Sequence, residues 1–241
     1  MKIIITLFML LIILGGCSKK NENEKPATGD SMEKSHENND DKFYKNINPI
    51  KNPDSYLVLV NKNNVLESSY VPKDLVVPNI TSVNYTIDAE LMLRQTAAEM
   101  IEQLFQAALD EDGLILLALS GYRSYEYQKK IYEGYVETYG QYNADRFSAR
   151  PGHSEHQTGL AIDVTSESAD KKLIPEFGNT KEGIWIQENA HRFGFIIRYP
   201  LDREKDTGYT YEPWHLRYVG KVVAAEMFEK KMILEDYLQN P

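Results

Sequence analysis

Asp163 lies inside the apolar run Leu160-Ala161-Ile162-Asp163-Val164, which reads as a strand. A carboxylate in a buried strand is expensive unless it is paired or bound to a metal, so this position limits what the chain can fold into. Six residues separate Asp163 from His156, across a Thr158-Gly159 turn, and far downstream Glu212-Pro213-Trp214-His215 offers a second imidazole with a carboxylate three residues before it. Two imidazoles and a carboxylate are ligands of the kind a catalytic zinc uses, leaving a fourth position for water. Glu212 is then free to take that water's proton. This arrangement has a geometric condition. In extended chain Glu212 and Trp214 share one face and His215 points to the other, so a bend at Pro213 is needed to bring Glu212 and His215 to one metal.

The surrounding pattern mixes helices and strands. Tyr56 to Val60, the turn cluster Asn61 to Asn64, and Val65-Leu66 read as an opening hairpin. Asp88 can cap a helix from Ala89 to Asp110, whose apolar positions Leu93, Ala97, Met100, Ile101, Leu104, Phe105 and Ala108 recur at helical spacing and which Gly113 ends. Leu114 to Leu119 is then a buried strand that delivers Ser120-Gly121-Tyr122-Arg123-Ser124. Ser124 is an N-cap for a helix from Tyr125 to Tyr139, which puts Arg123 and Gln128 at its mouth and first turn. Spacing alone leaves open whether those two side chains turn inward, and an Arg at a strand's end is commonly a surface charge. Glu182 to Phe193 reads as a helix ended by Gly194, with His191 a structural residue near its C-terminal end. Phe195 to Ile197 is a further strand, and Lys221 to Lys230 a closing helix. With no strict strand–helix–strand alternation, the class is α+β.

A formal net charge of -9 argues against a nucleic-acid partner, since a phosphate backbone calls for a basic face. The single Cys excludes a disulfide framework and a Cys-based zinc site. That Cys has another use. Met1-Lys2 and the apolar run Ile3 to Leu14 have the form of a secretory signal, and Leu14-Gly15-Gly16-Cys17 resembles the bacterial lipobox. Residues 1–17 are therefore expected to be a lipoprotein signal peptide with Cys17 lipidated, and 18–53, almost wholly polar and containing a solvated His36, a disordered tether. Such a tether has an r.m.s. reach of ~30 Å. Residues 54–241 then form a catalytic domain held at the outward face of a bacterial cell membrane.

Taken together, Ser-x-His-x6-Asp, Glu-x-x-His and the upstream Ser-Gly-Tyr-Arg-Ser resemble the VanY-type D-alanyl-D-alanine carboxypeptidases. These belong to a wider group of zinc peptidases that includes lysostaphin-like enzymes and hedgehog domains. The resemblance runs from about Tyr56 to the C-terminus. Ser154, His156, Gly159 and Asp163 meet one family motif, and Glu212 and His215 the other. The resemblance implies a small antiparallel sheet flanked by helices, in a hedgehog/D-Ala-D-Ala-peptidase-like fold. It implies one zinc ion held by His156, Asp163 and His215, with Glu212 as catalytic base. Arg123, Gln128 and Ser154 would hold the terminal D-alanine of a peptidoglycan stem peptide, and Arg123 would also help stabilise the oxyanion. Two other readings remain at this point: an L,D-carboxypeptidase acting on tetrapeptide stems, and a non-catalytic zinc domain that binds wall peptides. Against the last stands Glu212, since a purely structural site has no use for a spare base.

Overall fold

The structure, a computed structural model, describes residues 42–84 and 89–239. The expectations for the signal, for Cys17 and for His36 fall outside those residues. Residues 42–53, expected in the tether, instead pack on the domain. The short strand β1 (Asn48–Pro49) runs parallel to β2 (Asn64–Val65), and Ile50 N–H donates to Val65 O at 3.0 Å. Tyr44 sets its ring edge against His153, 5.1 Å between centroids, beneath the Arg150 guanidinium at 3.9 Å. Phe43, Tyr44 and Ile50 give this stretch the apolar surface that the residues before it lack.

The expected opening hairpin does not form. Val58 and Val60 are buried as their pattern requires. The backbone carbonyls of Tyr56 and Val58, however, accept from Arg217 Nη2 at 3.0 and 2.8 Å, in the place of a partner strand. The Asn cluster does turn the chain: Asn61 Oδ1 accepts from the backbone of Asn63 and Asn64.

Next, β3 (Leu75–Val76) and β4 (Leu93–Arg94) pair antiparallel, and helix α1 (Gln95–Asp112) follows directly. The helix therefore starts later than expected; Asp88, its supposed cap, lies outside the described residues, and Leu93 belongs to a strand. Tertiary pairing overrides helical periodicity here, since Arg94 N–H donates to Gly159 O and Gln95 N–H to Asp74 O, both at 2.8 Å. At the other end Gly113 closes the helix at φ 66°, as the sequence indicates. Ile101, Leu104 and Ala108 of α1 share one core with Ala118, Ile162, Val164 and Leu216.

Those last four belong to the central sheet. Its strands are β5 (Leu117–Ser120), β6 (Ala161–Thr165), β7 (Phe195–Tyr199) and β8 (Glu212–Tyr218), in the antiparallel order β5-β6-β8-β7. Helix α2 (Tyr125–Tyr139) follows β5, capped by Ser124, whose Oγ accepts from Tyr127 N–H at 3.2 Å. Helix α3 (Gln141–Phe147) completes that side. Between β6 and β7 stands α4 (Lys181–Asn189), capped by Thr180 and continued as a 3-10 turn to Phe193 before Gly194. His191 of that turn stacks flat on Phe228, 3.8 Å between centroids. Helices α5 (Glu204–Thr207), α6 (Lys221–Lys230) and α7 (Leu234–Gln239) finish the α+β fold.

Two irregularities in the sheet matter most. Leu216 pairs with Ile197 and Glu212 with Tyr199, so four steps along β8 oppose two along β7. The two extra residues are a bulge around Pro213, and across this irregularity Glu212 comes to the same side as His215, its Oε2 3.9 Å from Nδ1. Likewise Ala118 pairs with Val164 and Ser120 with Asp163, which leaves one residue of β5 unopposed.

Gly121, just past β5, donates its N–H to Glu90 O at 2.8 Å and runs against the 3-10 turn Ala89–Leu91. A Cβ there would stand 2.6 Å from the Leu91 carbonyl carbon and 2.7 Å from Met92 O, both backbone. Gly121→Ala is expected to cost about 1–3 kcal/mol, the usual range for overpacking, read as a lower urea midpoint. An unchanged midpoint would show that this close approach is not a constraint.

Candidate active site

Three elements bring one donor each to a common point. The 3-10 turn Glu155–Thr158 presents His156, β6 presents Asp163, and β8 presents His215, which is register-paired with Asp163. Asp163 Oδ1 lies 3.3 Å from His215 Nδ1, and Oδ2 lies 3.4 Å from His156 Nε2. The two imidazoles meet edge to face at 4.9 Å. One ligand atom from each residue falls within 4.8 Å of the others, and all three residues are buried.

These residues fit a divalent metal. His156 Nδ1 donates to Gly121 O at 2.7 Å, which leaves the Nε2 lone pair facing the centre. Burial and the nearby Arg123 push the His156 pKa down to about 4, so its imidazole is neutral and able to ligate. Asp163 Oδ1 is buried with no hydrogen-bond partner among the described residues, an acceptor aimed at the same point. Burial disfavours a proton on His215, but the carboxylates of Asp163 and Glu155 outweigh it and push its pKa up to about 9. The same negative field favours a metal's charge in the proton's place.

Glu212 stands beside this triad, its Oε2 3.9 Å from His215 Nδ1. Burial pushes its carboxyl up to about 8, with Asp163 adding in the same direction. A group in that range exchanges protons readily near neutral pH.

Arg123 does turn inward. Its Nη2 lies 2.8 Å from both His156 Nε2 and Asp163 Oδ2, while Nε donates to Ser120 Oγ and Nη1 to Gln128 Oε1. Gln128 is itself tied down, donating to Ala149 O at 2.8 Å, so its visible task is to hold the guanidinium. Ser154, Glu212, Tyr199 and Trp214 complete the wall of a cleft of about 430 Å³ that opens over the triad.

Every expected site residue within the described chain therefore reaches this cleft. Reading the sequence did not single out the ion cluster behind it. Glu155 Oε1 accepts from Arg198 Nε at 2.8 Å and from Arg217 Nη1 at 2.6 Å, and all three side chains are fully buried. A signal was present: Arg198 and Arg217 interrupt the apolar strands Phe-Ile-Ile-Arg-Tyr and His-Leu-Arg-Tyr, where a charge demands a partner.

The family model described as VanY, D-alanyl-D-alanine carboxypeptidase, matches residues 90–221, a span that includes every residue of the cleft named above. The chain is 34% identical over 183 residues to the bifunctional D-Ala-D-Ala dipeptidase and D-Ala-D-Ala carboxypeptidase VanXYC of Enterococcus gallinarum, covering 75% of this chain and 92% of that one. The solved LdcB LD-carboxypeptidase superposes with a TM-score of 0.76 at 44% identity, covering 80% of this chain and 90% of the other. A mutant of the vancomycin-resistance D,D-pentapeptidase VanY, in complex with Zn(II), superposes with a TM-score of 0.62 at 34% identity, covering 76% and 98%. The chain belongs to the VanY D-alanyl-D-alanine carboxypeptidase family.

Proposed function

We propose that this protein is a zinc carboxypeptidase that removes the terminal D-alanine from peptidoglycan stem peptides ending in D-Ala-D-Ala. The observation behind the reading is the convergence of His156, Asp163 and His215 with Glu212 to one side and Arg123 to the other. In this assignment the first three hold the metal. A zinc ion there supplies Lewis acidity, which acidifies water and polarises the scissile carbonyl.

The protein's own groups do the rest. Glu212 accepts the proton of the attacking water and returns it to the amine of the departing D-alanine. Its burial raises the carboxyl's pKa, which makes the carboxylate a stronger base for that proton and the acid a readier donor near neutral pH than an exposed Glu would be. Arg123 faces the lone pairs that a metal would take; its guanidinium is then available to a substrate carboxylate or a developing oxyanion. Ser120 and Gln128 hold the rest of that guanidinium in place. A clamp for a free carboxylate explains trimming of one terminal residue in preference to cutting within a peptide. Ser154 lies on the wall of the same cleft, where its hydroxyl could meet the terminal D-alanine.

A second reading, removal of D-alanine from tetrapeptide stems after an L-configured centre, is favoured by the likeness to the LdcB LD-carboxypeptidase. Both readings share the metal site and the clamp; they differ in the stereochemistry of the residue before the scissile bond. We also infer from the pattern around Cys17 that a lipid on that residue holds the enzyme to the outer face of the cell membrane, with the polar residues that follow as the link. Cys17→Ala should then abolish palmitate labelling and release the protein from membranes.

Glu212→Ala should retain zinc and lose about two to four orders of magnitude in kcat, the usual worth of a general base. Near-normal turnover by the zinc-loaded variant would remove Glu212 from this role. Arg123→Ala should raise KM most for peptides with a free C-terminus, and wild-type enzyme should not cleave the corresponding amides; cleavage of both alike would contradict the clamp. Incubation of chelated and zinc-restored enzyme with pentapeptide and tetrapeptide stems decides between the two substrates by the mass of the product. No release of D-alanine from either would leave only a binding role for the site.

A further inference from the structure

We propose that Glu155 is a positioning residue of the metal site: its Oε2 accepts the Nε2–H of His215 and so fixes Nδ1 as the nitrogen that faces the metal. This rests on the zinc reading above. The two ring nitrogens of His215 have different surroundings. Nδ1 faces Asp163 Oδ1 at 3.3 Å and Glu212 Oε2 at 3.9 Å, whereas Nε2 points the opposite way, 3.4 Å from Glu155 Oε2. Both Nε2 and Oε2 are buried, and at this separation neither has a hydrogen-bond partner among the described residues. A small closing of that gap satisfies both atoms. Leaving either unpaired in the interior would be costly.

The carboxylate cannot easily turn away. Its other oxygen is pinned by Arg198 and Arg217 at 2.8 and 2.6 Å. Arg198 is held in turn by the Glu235 carboxylate of α7, with contacts of 2.8 and 2.6 Å, and Arg217 by the carbonyls of Tyr56, Val58 and Tyr218. Glu155 thus presents one fixed, negatively charged oxygen to the back of a candidate ligand. A carboxylate behind a ligating imidazole sets its tautomer and raises its basicity, and losing such a partner typically costs 10–100-fold in metal affinity.

A merely structural role, neutralising two buried guanidiniums, predicts something different, and two variants of the full chain separate them. Glu155→Asp keeps the charge between Arg198 and Arg217 but shortens the arm towards His215. It is expected to weaken zinc binding by about 10–100-fold in chelator competition. Glu235→Gln disturbs Arg198 without touching His215, and should lower the melting temperature of the metal-free protein while leaving the zinc dissociation constant at the wild-type value. Wild-type zinc affinity in Glu155→Asp, or an equal weakening in Glu235→Gln, overturns the proposal. A third measurement holds even if neither variant folds. In histidine-labelled, zinc-loaded wild-type protein, NMR should show His215 ligated through Nδ1 with a slowly exchanging Nε2 proton. Ligation through Nε2 overturns it. Wild-type protein that takes up no zinc at all overturns the proposed function, and this inference with it.

Discussion

The buried carboxylate of Asp163 is the constraint on which the rest of the structure depends. It stands 2 % exposed in the middle of an antiparallel sheet, where a lone negative charge would be strongly disfavoured. Its relief comes from the Arg123 guanidinium and from the metal that His156 and His215 would hold with it. Arg123 arrives from the loop after β5, His156 from the turn before β6, and His215 from β8 on the opposite side. Because β5 and β8 are the two neighbours of β6 in the sheet, the strand order itself delivers these partners. Fold and site are thus one solution to one electrostatic problem.

What could be read from the sequence follows how local each signal is. The helix from Tyr125, its Ser124 cap, the glycines that end α1 and α4, and the apolar strand around Asp163 all rest on neighbours within a few positions, and the structure reproduces them. The late start of α1 was hidden because its first backbone donors go to Asp74 and Gly159, which no helical pattern can announce. The missing hairpin has the same origin, as Arg217 claims carbonyls from more than 150 residues away. At the site, residue types and spacing named residues that the structure brings together. The requirement for a bend near Pro213 was also visible in outline. Its form, two extra residues of β8 opposite β7, depends on a register between strands and lies beyond any single stretch of sequence.

The ion cluster behind the site illustrates how buried charge behaves. Arg198, Arg217 and Glu155 have fully buried side chains, an arrangement that contributes little net stability compared with apolar packing of the same volume. Its value lies in direction. Each guanidinium is forked between a carboxylate and further acceptors, so few alternative packings satisfy every group. The rigid aiming that results suits a metal centre, whose donors tolerate little displacement.

Glu235 gives this cluster a temporal aspect. It lies on the last helix described, yet it accepts two hydrogen bonds from Arg198, which stands directly behind the catalytic strands. Until that helix has been synthesised and docked, Arg198 is a cation without one of its two counterions in a dry interior. A chain whose last described helix is undocked therefore carries an unbalanced guanidinium behind its sheet, a penalty that falls on folding and not on the metal-facing residues themselves.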